Sequence, residues 1–124
     1  MNYLLVFLGG GIGSMLRHMV NVLCARAFGI GFPFGTLTVN ITGSIVMGLF
    51  AGYFAFKGDA AQSWRLFLMT GILGGYTTFS AFSLDTMLLY ERGELGLALG
   101  YVAVSVAVSV LGLFAGLMLM RQFA

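Results

Sequence analysis

Gly71-Ile72-Leu73-Gly74-Gly75-Tyr76-Thr77-Thr78-Phe79-Ser80-Ala81-Phe82-Ser83 is the stretch that decides how this chain is read. Its glycines and hydroxyl residues interrupt a sequence otherwise compatible with hydrocarbon. In a bilayer core no water serves an unpaired amide or carbonyl. Irregular backbone is therefore tolerated there only where it is buried in protein or lines water. An interrupted helix at membrane depth marks a candidate ion or substrate site, with its own carbonyls and amides available as ligands.

Bulk composition supplies the membrane. The chain is 60% hydrophobic and 8% charged, with a mean hydropathy of +1.01, where a soluble domain carries roughly 25% charged residues. A chain of 124 residues is too short to hide that much apolar surface in a water-soluble core. A spanning helix needs about 20 mostly apolar residues, and four such stretches fit, at 3–26, 34–56, 64–90 and 95–120. The expectation is an all-α membrane protein, one four-span domain over 1–124 with a broken third helix. Gly29, Gly31 and Pro33 punctuate the first connection; Lys57, Gly58 and Asp59 the second; Glu91, Arg92, Gly93 and Glu94 the third. Ala25-Arg26-Ala27 imitates a signal-peptide cleavage site. No basic residue precedes that apolar run, however, and Arg17 and His18 interrupt it, so it reads as a span.

With four spans both termini lie on one side. Lys57, Arg65 and Arg121 fall on that side, Arg26 and Arg92 on the other, with Arg17 joining them if it reaches that interface. The positive-inside rule then selects no orientation. That balance, and the small size of a four-helix unit, favour a dual-topology antiparallel homodimer. The isoelectric point near 9.0 rests on few charges; anionic headgroups account for it, and no nucleic-acid partner is expected. Cys24 stands alone, which excludes an intrachain disulfide or a cysteine metal cluster.

Glycine is placed for packing. Gly9 and Gly13 on the first span, Gly48 and Gly52 on the second, and Gly96, Gly100, Gly112 and Gly116 on the fourth recur at spacings of four. Small residues at that spacing let helix backbones approach closely. The glycines at 9–13 lack the lysine and the preceding strand of a phosphate loop.

Polar residues within spans carry a cost unless they face protein or water. Thr36, Asn40 and Ser44 form one helical stripe, and Tyr101, Ser105 and Ser109 form a second. Ser80 and Ser83 share a face of the third span, as do Phe79 and Phe82. Single serines in membrane helices usually bond back to the carbonyl four residues earlier, but two stripes beside an interrupted helix describe a polar pathway. Its lining is rich in hydroxyl and amide donors, with Arg17 the one cation well inside a span and Asp85 the one acid that reaches a span. Donors plus an arginine and almost no acids suit an anion better than a cation, and aromatic edges carry partial positive charge that an anion can meet.

On these residues the chain resembles the Fluc/CrcB fluoride channel family. The likeness is carried by Gly10-Gly11-Ile12-Gly13-Ser14-Met15-Leu16-Arg17, by Gly35-Thr36-Leu37-Thr38-Val39-Asn40-Ile41-Thr42-Gly43, and by the Gly71–Ser83 stretch. With the Tyr101, Ser105 and Ser109 stripe it covers nearly the whole chain. The resemblance implies a passive, fluoride-selective channel that lets cytosolic fluoride escape, with two pores per antiparallel homodimer in a bacterial or archaeal inner (plasma) membrane. It implies that Phe79 and Phe82 present ring edges to fluoride and that the Asn40 amide donates to it. Ser80, Thr36, Tyr101, Ser105 and Ser109 become polar-track residues, and Arg17 belongs to an aqueous vestibule. It further implies a structural sodium ion (Na+) at the dimer centre, held by the backbone carbonyls of Gly74 and Thr77. Three positions depart from the family's usual residues: Ala81 for threonine, Tyr76 for leucine or phenylalanine, and Asp85 for glutamate.

Enzymatic chemistry finds no support, because no nucleophile–base pair is present and His18 has no evident partner. The alternative is a small multidrug-resistance-type exporter, also four-spanned but proton-coupled. That chemistry requires a buried carboxylate, usually in the first span, and residues 3–26 contain none.

Overall fold

The structure, a computed structural model, describes residues 1–55 and 57–123. It is all-helical, and four stretches are long and apolar enough to cross a membrane: Asn2–Phe28, Phe34–Phe54, Gln62–Glu91 and Leu95–Arg121. This is a multi-pass membrane protein. The ends differ from the sequence expectation by one or two residues, as helix ends do. Phe56, the last residue of the expected second span, lies outside the described residues.

The first two spans are the single helices α1 (Asn2–Phe28) and α2 (Phe34–Phe54), and the fourth is α6 (Leu95–Arg121). The third is composite. A short α3 (Gln62–Arg65) runs into a π-helical segment, Leu66–Leu73, and then into the single turn α4 (Gly74–Tyr76). Thr77 is extended (φ −87°, ψ 159°), and helix resumes as α5 (Ser80–Glu91). The glycines of the Gly71–Ser83 stretch are thus helical, and the irregular backbone is confined to Thr77, Thr78 and Phe79.

What those glycines do instead is admit α1. A Cβ on Gly75 would lie 2.5 Å from the Gly10 carbonyl oxygen, and one on Gly13 would lie 2.0 Å from that of Ile72. The α2–α6 pair meets the same way, with a Cβ on Gly48 placed 2.1 Å from the Leu113 carbonyl oxygen. A Cβ added at Gly96 or Gly100, expected to serve the same end, would meet nothing within 4 Å among the described residues, whereas one at Gly112 or Gly116 would meet α2.

The core is small. Phe82, Leu89, Ala98 and Tyr101 cluster with Phe32, Leu37 and Val102, joining α5 to α6 beneath the first connection. Large apolar side chains elsewhere point outward, including Val110 and Leu111 on α6. Water would oppose that exposure, whereas lipid or a second protein surface accommodates it. At one end Arg92 donates to the Gly31 carbonyl (2.6 Å) and to Glu94 (3.2 Å), tying the first connection to the third. At the other, Arg65 donates to the carbonyls of Phe54 and Gly58, closing the C-terminus of α2.

Candidate functional site

A cavity of about 420 Å³ lies between α2, the Thr77–Phe79 link, α5 and α6. Asn40 and Ser44 line it from α2, Gly74, Thr77, Thr78 and Phe79 from the third span, Phe82 from α5, and Ser105, Val106, Ser109 and Val110 from α6. The fold therefore brings Asn40, Phe79, Phe82, Ser105 and Ser109 together with Gly74 and Thr77.

The link is shaped by Asn40. Its Nδ2 donates to the Thr78 carbonyl at 2.9 Å, and its Oδ1 accepts from the Thr78 N–H at 2.8 Å. Each residue's backbone offers one donor and one acceptor, so this pairing also settles which way the amide faces. One of the two Nδ2 hydrogens remains uncommitted and available to a ligand. Gly43, one helical turn below, makes the approach possible: a Cβ there would lie 2.3 Å from the Thr77 methyl carbon. On the other flank the Tyr76 and Thr42 hydroxyls pair at 3.0 Å. Thr42 spends its single hydrogen on the Thr38 carbonyl at 2.7 Å, so Tyr76 is the donor.

The hydroxyls divide into two classes. Thr42, Thr77, Ser83 and Thr86 each bond back to the carbonyl four residues earlier, at 2.7–3.0 Å. That removes Ser83 as a free donor. Ser105 and Ser109 do not: both Oγ atoms are buried and have no hydrogen-bond partner among the described residues. A buried hydroxyl without a partner costs about 1–3 kcal/mol. Both are thereby left free to donate into the cavity they line.

Phe79 and Phe82 sit with ring centroids 5.6 Å apart and planes tilted by 51°. Phe82 is buried, whereas Phe79 is 77% exposed, which puts one ring inside the cavity and the other at its open side.

The remaining predicted residues lie outside this cavity. Tyr101 is 1% exposed; its ring packs 5.2 Å from Phe82 and 5.5 Å from Phe32, and its hydroxyl donates to Asp85 Oδ2 at 3.2 Å. Thr36 lines a second cavity of about 310 Å³ together with Asn21, Ala81, Asp85 and Arg92. Tyr101 touches both regions, through Phe82 on one side and Asp85 on the other. Ser80 is exposed, its Oγ 3.4 Å from that of Thr78. Arg17 faces the other flank of the third span, where its Nε donates to the Gly75 carbonyl at 3.1 Å. A guanidinium there complements the C-terminal end of α4.

Two further participants are not evident from pattern alone. Thr78 belongs to the quoted stretch without an assigned role, yet its peptide is what Asn40 holds and its Oγ1 accepts from the Ala81 N–H at 3.1 Å. Asp85 is half-buried and takes the Tyr101 hydroxyl. Its signal in the sequence is being the one acid that reaches a span.

The family model described as "CrcB-like protein, Camphor Resistance (CrcB)" matches residues 4–117. A protein of Nitrobacter hamburgensis named fluoride-specific ion channel FluC 2 is 70% identical, the match covering 98% of each chain. A fluoride-specific ion channel FluC of Rhodopseudomonas palustris is 65% identical, again over 98% of each. One from Agrobacterium fabrum is 50% identical over 98% of this chain and 97% of its own.

Proposed function

The chain belongs to the CrcB-like family, and from that premise we propose that it is a passive fluoride channel. The observation that carries the reading is the pair of partnerless buried hydroxyls, Ser105 and Ser109, in a cavity that also holds Asn40 and the Phe79–Phe82 pair. Fluoride is small and strongly hydrated, so a pathway must replace its water with several donors. Two hydroxyls, the spare Asn40 N–H and the positive edges of two rings offer that replacement without the trapping charge of a buried lysine. Thr36 and Tyr101 extend the route towards the second cavity and Ser80 borders it, while Arg17, on the other flank of the third span, belongs to an aqueous vestibule.

We read the working unit as an antiparallel, dual-topology homodimer with two pathways. The support is the open side of the cavity, the exposed Phe79 ring and the even spread of basic residues. The membrane is the inner (plasma) membrane of a bacterium or archaeon. Fluoride that has entered as the neutral acid leaves down its electrochemical gradient, without ATP or catalysis. A structural Na+ belongs at the dimer centre. Its preference for hard oxygen fits the carbonyls of Gly74 and Thr77, which accept no hydrogen bond among the described residues. When bound, the ion neutralises carbonyl dipoles that would otherwise repel one another.

The test is reconstitution in liposomes with a fluoride electrode. Fast fluoride efflux without chloride leak is expected, and Phe82→Ile should slow it by roughly tenfold, the scale of one aromatic contact. Absence of fluoride flux from a well-folded dimer overturns the reading. The proton-coupled exporter would instead show uptake driven by an imposed pH gradient. Its required carboxylate is missing from α1, which contains no acid.

A further inference from the structure

We infer that the side chains of Asn40 and Thr78 create the sodium site by taking hydrogen-bond donors away from two backbone carbonyls. The inference rests on the channel reading above and assigns positioning roles within it. In an uninterrupted α-helix each carbonyl accepts from the N–H four residues on. The Gly74 carbonyl would then take the Thr78 N–H, and the Thr77 carbonyl would take that of Ala81. Neither happens. The Thr78 N–H goes to Asn40 Oδ1 at 2.8 Å, and the Ala81 N–H goes to Thr78 Oγ1 at 3.1 Å.

The two diversions differ in kind. Asn40 reaches across from α2 and holds two successive peptide groups, since it also donates to the Thr78 carbonyl at 2.9 Å, and the N–H it captures shares its peptide group with the Thr77 carbonyl. Thr78 acts locally, three residues before its donor, in the manner of a helix N-cap ahead of α5. Neighbouring carbonyls are treated otherwise. Leu73's receives both the Thr77 N–H (3.0 Å) and the Thr77 hydroxyl (2.9 Å), and Gly75's is covered by Arg17. Gly74 and Thr77 are thereby left with bare oxygen, the hard donor that a small monovalent or divalent cation of the s block prefers. In this scheme Asn40 acts twice, with Oδ1 making the cation site and its spare N–H facing the anion cavity.

The test separates cation binding from conduction. The purified dimer in detergent would be titrated with sodium chloride against a choline chloride background, following thermal stability and ²³Na relaxation. The wild-type protein should bind sodium and melt higher with it. Thr78→Val keeps the shape but removes the acceptor, so the Ala81 N–H loses its partner and favours turning Thr77 back from its extended conformation, which brings the Thr77 carbonyl within its reach. Sodium affinity is expected to fall about tenfold, the scale of one hydrogen bond, while Thr78→Ser stays within about twofold of wild type. If Thr78→Val does not give a folded dimer, Asn40→Ala is read instead, with the same weakening expected from return of the Thr78 N–H to Gly74. Sodium binding by wild type that is unchanged in the variant read overturns the diversion but leaves the sodium reading intact. No sodium response in wild type overturns both, while fluoride efflux remains a separate measurement.

Discussion

Replacing Ser105 and Ser109 together by alanine is expected to cut fluoride efflux by on the order of a hundredfold or more, with no loss of stability. Hydrogen bonds to an ion contribute about 1.5–3 kcal/mol each, and removing two donors from a dehydrated anion raises its barrier by their sum. The stability side has the opposite sign. Neither hydroxyl has a partner among the described residues, so alanine removes a desolvation cost without breaking a bond, and the melting temperature should stay level or rise. Liposome efflux and thermal melting in detergent, measured on one preparation, check both halves. If efflux is unchanged, the hydroxyls are packing residues and the pathway runs elsewhere. A fall in stability equal to the loss of flux would mean that the serines hold the helices together.

A single methyl group on Gly13 is expected to prevent α1 from docking. An added Cβ would lie 2.0 Å from the Ile72 carbonyl oxygen and 2.8 Å from the Tyr76 amide nitrogen. Both obstacles are backbone of the third span, just ahead of the Thr77–Phe79 link, and backbone cannot swing aside as a side-chain tip can. Overpacking of this kind costs about 1–3 kcal/mol or more, and a chain with so small a core has little reserve. Gly13→Ala should yield aggregated or polydisperse protein on size exclusion. Gly11→Ala, where nothing lies within 4 Å of the added atom, should purify and melt like wild type or slightly higher. Equal behaviour of the two variants would refute the contact between α1 and the third span.

Much of the architecture is legible in the residues because it depends on local quantities. Four apolar runs of spanning length, separated by Gly29–Pro33, Lys57–Asp59 and Glu91–Glu94, leave little choice of helix count. The Thr36–Asn40–Ser44 and Tyr101–Ser105–Ser109 stripes are visible because helical spacing alone places them. Their convergence is different in kind, since it requires knowing that α2 packs along α6.

Periodicity does not reveal which interruption in Gly71–Ser83 is real. Glycines suggest a break by propensity, yet Gly71, Gly74 and Gly75 are helical and serve close approach to α1. The departure from helix falls on Thr77–Phe79 because a residue 38 positions away, Asn40, competes successfully for the Thr78 peptide. The π-helical segment Leu66–Leu73 is likewise unannounced, for an apolar run reads the same at either pitch.

By itself the sequence determined the solvent, the number of spans and the chemical character of the polar stripes beside the link: donors, two phenylalanines and almost no acid. Those follow from transfer free energies and side-chain chemistry, which each residue carries wherever it sits. Only the tertiary structure decided which hydroxyls are spoken for and which are free. Ser83 and Ser105 are the same residue type on apolar helices, but one bonds back to its own helix and the other faces a cavity without a partner. The tertiary structure likewise set Arg17 against Gly75, Tyr101 against Asp85, and left the carbonyls of Gly74 and Thr77 without a donor among the described residues. The physical reason is that a hydrogen bond is a competition among neighbours, and the neighbours are chosen by packing.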